Sequence, residues 1–128
     1  MKVLLDTHAF LWSVTDDARL SSTAREIVAD PENEVLFSAA SALEISLKAA
    51  RGRLELPEQT DTYVTTRIAA FGFTPLAVSV GHAIRAGSLP PIHADPWDRL
   101  LTAQAQAEAV AILTRDAMIR QYDVETIW

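Results

Sequence analysis

The sequence predicts one α/β domain over residues 1–128, built on a mainly parallel sheet with helices on both faces. Three observations support this. Short apolar runs at Lys2–Leu5, Glu34–Ser38 and Ala109–Leu113 read as buried strands. The first two lead directly into helix-period segments and the third is preceded by one, which implies βαβ units. Of 128 residues, 49% are hydrophobic and 22% charged, an ordinary balance for a single well-filled core. There is no internal repeat, linker or low-complexity stretch.

Taken in order, Lys2–Leu5 is β-branched and apolar, and Asp6-Thr7-His8 turns it into a helix with Phe10, Leu11 and Val14 on one face. A second helix is expected from Ser21-Ser22-Thr23, with a Thr23/Glu26 capping box and Ala24, Ile27 and Val28 inward. Asp30-Pro31-Glu32-Asn33 is a turn, and Glu34–Ser38 is the second strand. The helix from Ser38 to Arg51, stopped by Gly52, has two apolar sides: Ala40, Leu43, Leu47 and Ala50 on one, Ala42, Ile45 and Ala49 on the other. A polar stripe of Ser41, Glu44, Lys48 and Arg51 separates them.

Leu54–Pro57 connects to a helix over Glu58–Phe71, with Val64, Ile68 and Phe71 expected inward. Pro75 limits Phe73–Val78 to a short or edge strand. A short helix at Val80–Ala86 and a loop through His93 follow. Asp95 caps the helix Pro96–Glu108, with proline at its first position. After the Ala109–Leu113 strand come a short helix at Asp116–Gln121 and a last strand at Val124–Trp128.

Composition excludes several functions. With no cysteine there is no disulfide, thiolate metal site or cysteine nucleophile, which fits the cytosol. No apolar run is long enough to span a membrane, and the start turns acidic too soon for a signal peptide. A net charge of −6 argues against a nucleic-acid-coating protein. It is compatible with an enzyme whose acidic site holds cations, and with a basic protein partner.

Four acids share one topological address. Asp6 follows the first strand, Glu44 lies in the helix after the second, Asp98 opens the helix that feeds the third, and Asp116 comes just after it. Ligands in parallel sheets bind outside the carboxyl ends of the strands. Each acid also has a local explanation: Asp6 and Asp116 as helix caps, Glu44 as partner of Ser41 or Lys48, Asp98 as a first-turn acid. Gathered together they would repel one another unless a cation were present. Carboxylates without cysteine or paired histidine suit Mg²⁺ or Mn²⁺, and such ions suit phosphodiester hydrolysis.

Supporting residues are Ser38 and Thr114 near strand ends, while Arg99 and Arg115 flank the acids and either hold phosphates or pair with them. His8, His82 and His93 lack metal-pair spacing, and a lone loop histidine such as His93 is more often structural or solvated. Trp12, Trp97 and Trp128 read as core or interface.

Five segments together resemble the PIN-domain ribonucleases, specifically the VapC-type toxins. They are Leu4-Leu5-Asp6-Thr7-His8, Ser38-Ala39-Ala40-Ser41-Ala42-Leu43-Glu44-Ile45, Gly52-Arg53-Leu54-Glu55-Leu56-Pro57, His93-Ala94-Asp95-Pro96-Trp97-Asp98-Arg99 and Leu113-Thr114-Arg115-Asp116. The resemblance implies a three-layer α/β/α sandwich and a Mg²⁺- or Mn²⁺-dependent endoribonuclease. Its catalytic and metal-binding set would be Asp6, Glu44, Asp98 and Asp116, with Asp6 and Asp98 the most direct ligands and Thr7, Ser38, Thr114 and Arg99 supporting. It further implies an RNA substrate, a VapB-like antitoxin whose tail covers the site, and a homodimer that would use the second apolar side of the Ala39–Ala50 helix. Two apolar departures stand out: Trp97 where phenylalanine is more usual, and Leu43 where tryptophan is common.

Two other functions compete. A non-enzymatic module would use the same acids to dock a basic tail. A haloacid-dehalogenase-type phosphatase needs a second aspartate two residues after the first, where this chain has His8.

Overall fold

A computed structural model describes residues Met1–Trp128. Five strands form one sheet: β1 (Lys2–Leu5), β2 (Glu34–Ser38), β3 (Thr74–Leu76), β4 (Ala111–Leu113) and β5 (Thr126–Ile127). Their order is β3-β2-β1-β4-β5, and every pairing is parallel. Pro75 therefore sits on an edge strand, where a missing N–H is tolerated. Six helices cover the sheet: α1 (Thr7–Val14), α2 (Ser22–Ala29), α3 (Ala39–Ala50), α4 (Thr60–Phe71), α5 (Val80–Ser88) and α6 (Pro96–Glu108). A 3-10 turn spans Ile119–Gln121. No helix is long and apolar enough to cross a membrane.

Side chains alternate across β1. Val3 and Leu5 join a core with Phe10, Phe37, Ile45 and Tyr63 on one face. Leu4 joins Leu36, Leu101, Ala105, Ile112 and Ile119 on the other. All of these are buried on both sides of the sheet, so the architecture is a three-layer α/β/α sandwich.

Some expectations are corrected locally. The cap of α2 is Ser21, whose hydroxyl accepts from Ala24 N at 3.0 Å, rather than Thr23. Phe71 is 43% exposed instead of inward, because α4 ends there and Gly72 turns the chain at φ 69°. β4 starts at Ala111, since Ala109 is the left-handed cap of α6 at φ 55°. The expected helix from Asp116 is only the 3-10 turn. On α3 Ser41 and Glu44 are buried and Leu43 is 51% exposed, so the first half of the polar stripe faces inward, while Lys48 is half-buried and Arg51 exposed.

Candidate functional site

β1 is the middle strand, and its carboxyl end delivers Asp6 as the N-cap of α1. The cap fixes the side chain: Oδ1 accepts from Ala9 N at 2.7 Å, and Oδ2 accepts from the Thr114 hydroxyl at 2.5 Å. Thr114 follows β4 and is fully buried. Its oxygen also accepts from Asp116 N at 3.0 Å, so one threonine ties the two aspartates together. Asp116 Oδ1 in turn accepts from Met118 N at 2.8 Å and Ile119 N at 3.0 Å.

Glu44 reaches the same edge from α3. The Thr7 hydroxyl donates to Glu44 Oε1 at 2.6 Å and lies 2.9 Å from Ser41 Oγ. Glu44 Oε2 pairs with Lys48 one turn later. Glu44 is only 5% exposed, so this is an acid held in the interior by a hydroxyl and one cation.

Asp98 enters from the first turn of α6. Asp95 is the cap beside it, its Oδ1 accepting from Trp97 N at 2.8 Å and Asp98 N at 3.2 Å. Asp98 Oδ2 lies 2.9 Å from His93 Nε2, and Asp116 Oδ1 lies 3.9 Å from the same nitrogen. That nitrogen is buried and has no aligned hydrogen bond, so its contact with Asp98 is electrostatic. One donor atom from each of His93, Asp98 and Asp116 falls within 4.8 Å of the others.

The electrostatics follow from this crowding. Burial, then the charges of Asp95 and Asp116, push the Asp98 carboxyl up to about 7; His93 opposes the shift and Glu44 adds to it. Asp6 is also raised, chiefly by burial and slightly by Asp116, against the hydrogen bonds from Thr114 and Ala9 and the charge of His8. A site that resists its own ionisation is one a cation would relieve.

Of the supporting residues, Thr7 and Thr114 contact the acids directly. Ser38 does not: its hydroxyl donates to Gln104 Oε1 at 2.5 Å and accepts from Ala40 N as the cap of α3. Arg99 is likewise committed elsewhere. Its Nη2 donates to Ala86 O at 2.8 Å and Leu89 O at 3.0 Å, and its Nη1 reaches Pro90 O at 3.0 Å and His93 O at 3.3 Å. It braces the loop that carries His93 and is not available to phosphate. His93 is the residue that sequence reasoning undervalued. Its signals in the sequence are its place at the head of the His93–Arg99 segment and its position two residues before the Asp95 cap, which returns the loop to the mouth of α6.

Beside the acids lies a cleft of about 320 Å³, lined by Asp6, His8, Trp12, Arg19, Arg115 and Asp116. A larger cleft, about 520 Å³, continues past His8 and Trp12 toward Lys48, Arg53 and Tyr63.

A family model for the PIN domain matches residues 3–125. Ribonuclease VapC16 of Mycobacterium tuberculosis is 43% identical over 58 residues, 45% of this chain and 41% of that protein. That match thus spans less than half of the relative. Ribonuclease VapC22 of the same organism is 27% identical over 123 residues, covering 94% of this chain and 91% of the relative. Among solved structures, VapBC2 from Rickettsia felis, bound to a DNA fragment from its promoter, aligns with a TM-score of 0.76 at 14% identity. The alignment covers 100% of this chain and 99% of that one, a likeness of fold.

Proposed function

The chain belongs to the PIN-domain family, matched over residues 3–125, and from that premise we propose that it is a divalent-metal-dependent endoribonuclease, the toxin of a toxin–antitoxin pair. The observation that carries this reading is the gathering of Asp98 and Asp116 with His93 at the carboxyl edge of the sheet, Asp6 tied to Asp116 through Thr114 and Glu44 within the field of Asp98, whose carboxyl is raised to about 7. The full-length relative being named a ribonuclease supports RNA as the substrate.

The donors suit a hard cation: the carboxylates of Asp6 and Glu44, buried, and of Asp98 and Asp116, half-buried, lie in one another's field, with the His93 nitrogen beside Asp98. Asp6 and Asp98 are the proposed direct ligands, with Glu44 and Asp116 completing or orienting the set. When bound, Mg²⁺ or Mn²⁺ supplies a water of lowered pKa and offsets charge on a phosphoryl oxygen. The protein's own part is to hold the carboxylates in place. Thr114 and Ala9 N–H fix both oxygens of Asp6, Thr7 fixes Glu44, and two backbone amides fix Asp116. An antitoxin tail with basic residues would meet the same acids, as the family resemblance implies. Leu43, half-exposed on α3, is where the proposed homodimer would form.

RNA cleavage with Mg²⁺ or Mn²⁺ by wild type and Asp98→Asn tests the reading. The variant should lose activity by at least ~100-fold while keeping the wild-type fold by circular dichroism. Equal inactivity of both on a broad RNA panel, or undiminished cleavage in a chelator, overturns it.

A further inference from the structure

Several arginines of this chain are committed. Arg99 is spent on backbone carbonyls, Arg25 and Arg67 pair with Asp16 and Glu58, and Arg19 grips Asp17 through Nε at 3.0 Å and Nη2 at 2.8 Å. Arg115 is different. It stands between Thr114 and Asp116, yet none of the ion pairs involves it. Its guanidinium lies 4.5 Å from the centre of the Trp12 ring, and that of Arg19 lies 4.9 Å from it.

A guanidinium held against an aromatic ring by cation–π attraction keeps N–H donors that the ring does not use, and these can meet a phosphate. The indole beneath is a firm base: Trp12 is 7% exposed and meets Trp128 edge-on at 5.8 Å. On the same indole stacks His8, with centroids 5.3 Å apart and planes 26° apart. His8 is exposed and lines the cleft together with Arg115, Asp6 and Asp116. Cation, flat ring and acids therefore adjoin in one cleft.

The substrate of an acidic site poses a physical problem. This chain has 17 acidic residues against 11 lysines and arginines, and four acids stand where a polyanion must come. A bound metal serves only the phosphate under attack. A neighbouring phosphate needs its own cation, placed beside the acids without being neutralised by them. Arg115 meets that requirement: it pairs with none of the four site acids, and the acid whose charge it offsets from a distance, Asp17, is already gripped by Arg19. A base beside that phosphate needs a flat surface, and His8 offers one.

Resting on the nuclease reading above, we propose that this cleft binds single-stranded RNA next to the cut, Arg115 holding the neighbouring phosphate and His8 stacking the adjoining base. An acidic peptide would use the cation but has no use for the ring.

The test measures binding apart from cleavage, in the full chain carrying Asp98→Asn with Mg²⁺ present. The probe is a short fluorescein-labelled single-stranded RNA of mixed sequence, followed by anisotropy across a salt series at fixed pH. Adding Arg115→Gln should weaken binding roughly tenfold and lower the slope of log Kd against log salt by about 0.7, one phosphate contact on a single strand. Arg115→Lys should restore the slope. His8→Ala should weaken binding roughly tenfold at unchanged slope. Unchanged melting temperatures exclude a folding defect.

If Arg115→Gln keeps both affinity and slope while the wild type cleaves RNA, this proposal fails and the nuclease reading stands. If the slope falls as expected but no RNA is cut by wild type, the nuclease reading fails and the cleft survives. Loss of binding to polyglutamate, with the RNA slope intact, makes the cleft a peptide dock and overturns the proposal.

Discussion

Asp98 sits under opposing influences, and they make a prediction about pH. Its carboxyl is raised to about 7 in the folded chain against an ordinary value of 3.8. Between those two values the folded state binds a proton that the unfolded state has released. Stability of the metal-free protein must therefore fall as pH rises through that window and level off above it. Asp6, also raised, adds to the same fall. Asp17, lowered to about 2 by Arg19, acts in the opposite sense but only below the window. Melting temperature in a chelator should accordingly be several degrees lower at pH 8 than at pH 5.5, and Asp98→Asn should flatten the difference. A wild-type profile that rises over this range contradicts the burial-driven shift. That Asp98 would matter more than Asp95 is implied by the family resemblance; the size of its shift is not. The shift depends on burial first, then on Asp95 three residues away and on Asp116, which is 18 residues away in sequence.

Helix α6 shows which ends of an element a sequence reveals. Its start is legible because Asp95 and Pro96 each have a specific first-turn chemistry, and Asp95 accepts from two amides there. Its end is not, because the left-handed cap is Ala109, a residue with no such signature. The apolar run from Ala109 looks like strand from its first residue, yet Val110 N returns to Ala105 O at 3.0 Å and closes a Schellman-type turn. Alanine at φ 55° carries a steric cost that glycine avoids, partly offset by glycine's greater freedom when unfolded. Ala109→Gly should thus stabilise the protein by about 0.5–1 kcal/mol, read as a rise of a few degrees in melting temperature. A lower melting temperature would show that the cap is unstrained. Arg99 illustrates the other limit. An arginine beside acids reads as their partner, and only the folded loop supplies the four carbonyls that claim it instead.

At the scale of the molecule, the parallel order β3-β2-β1-β4-β5 brings the acids together. Strand direction sends Asp6 and Asp116 to the carboxyl edge, so the fold and half of the cluster can be inferred from alternating strands and helices. The cross-links that fix the cluster cannot be inferred so. Thr7 to Glu44 spans 37 residues and Thr114 to Asp6 spans 108. Such pairs arise from packing, which local pattern does not encode. The same convergence leaves the metal-free protein with an electrostatic strain that only a cation relieves fully, since Lys48 pairs with Glu44 alone and His93 with the Asp98 side. A ligand that binds the folded state and not the unfolded one stabilises it by mass action, by about 2.7 kcal/mol at a concentration 100 times its Kd. For a chain of this length that corresponds to a rise of roughly 10 °C in melting temperature. Titrating Mn²⁺ into chelator-treated protein should produce that rise and a chelator should reverse it. The pH-dependent loss of stability should shrink in parallel, because the cation and the proton compete for the same carboxylates. A melting temperature indifferent to Mn²⁺ and Mg²⁺ at every pH would mean that the acids hold no cation, and the strain would then need another partner.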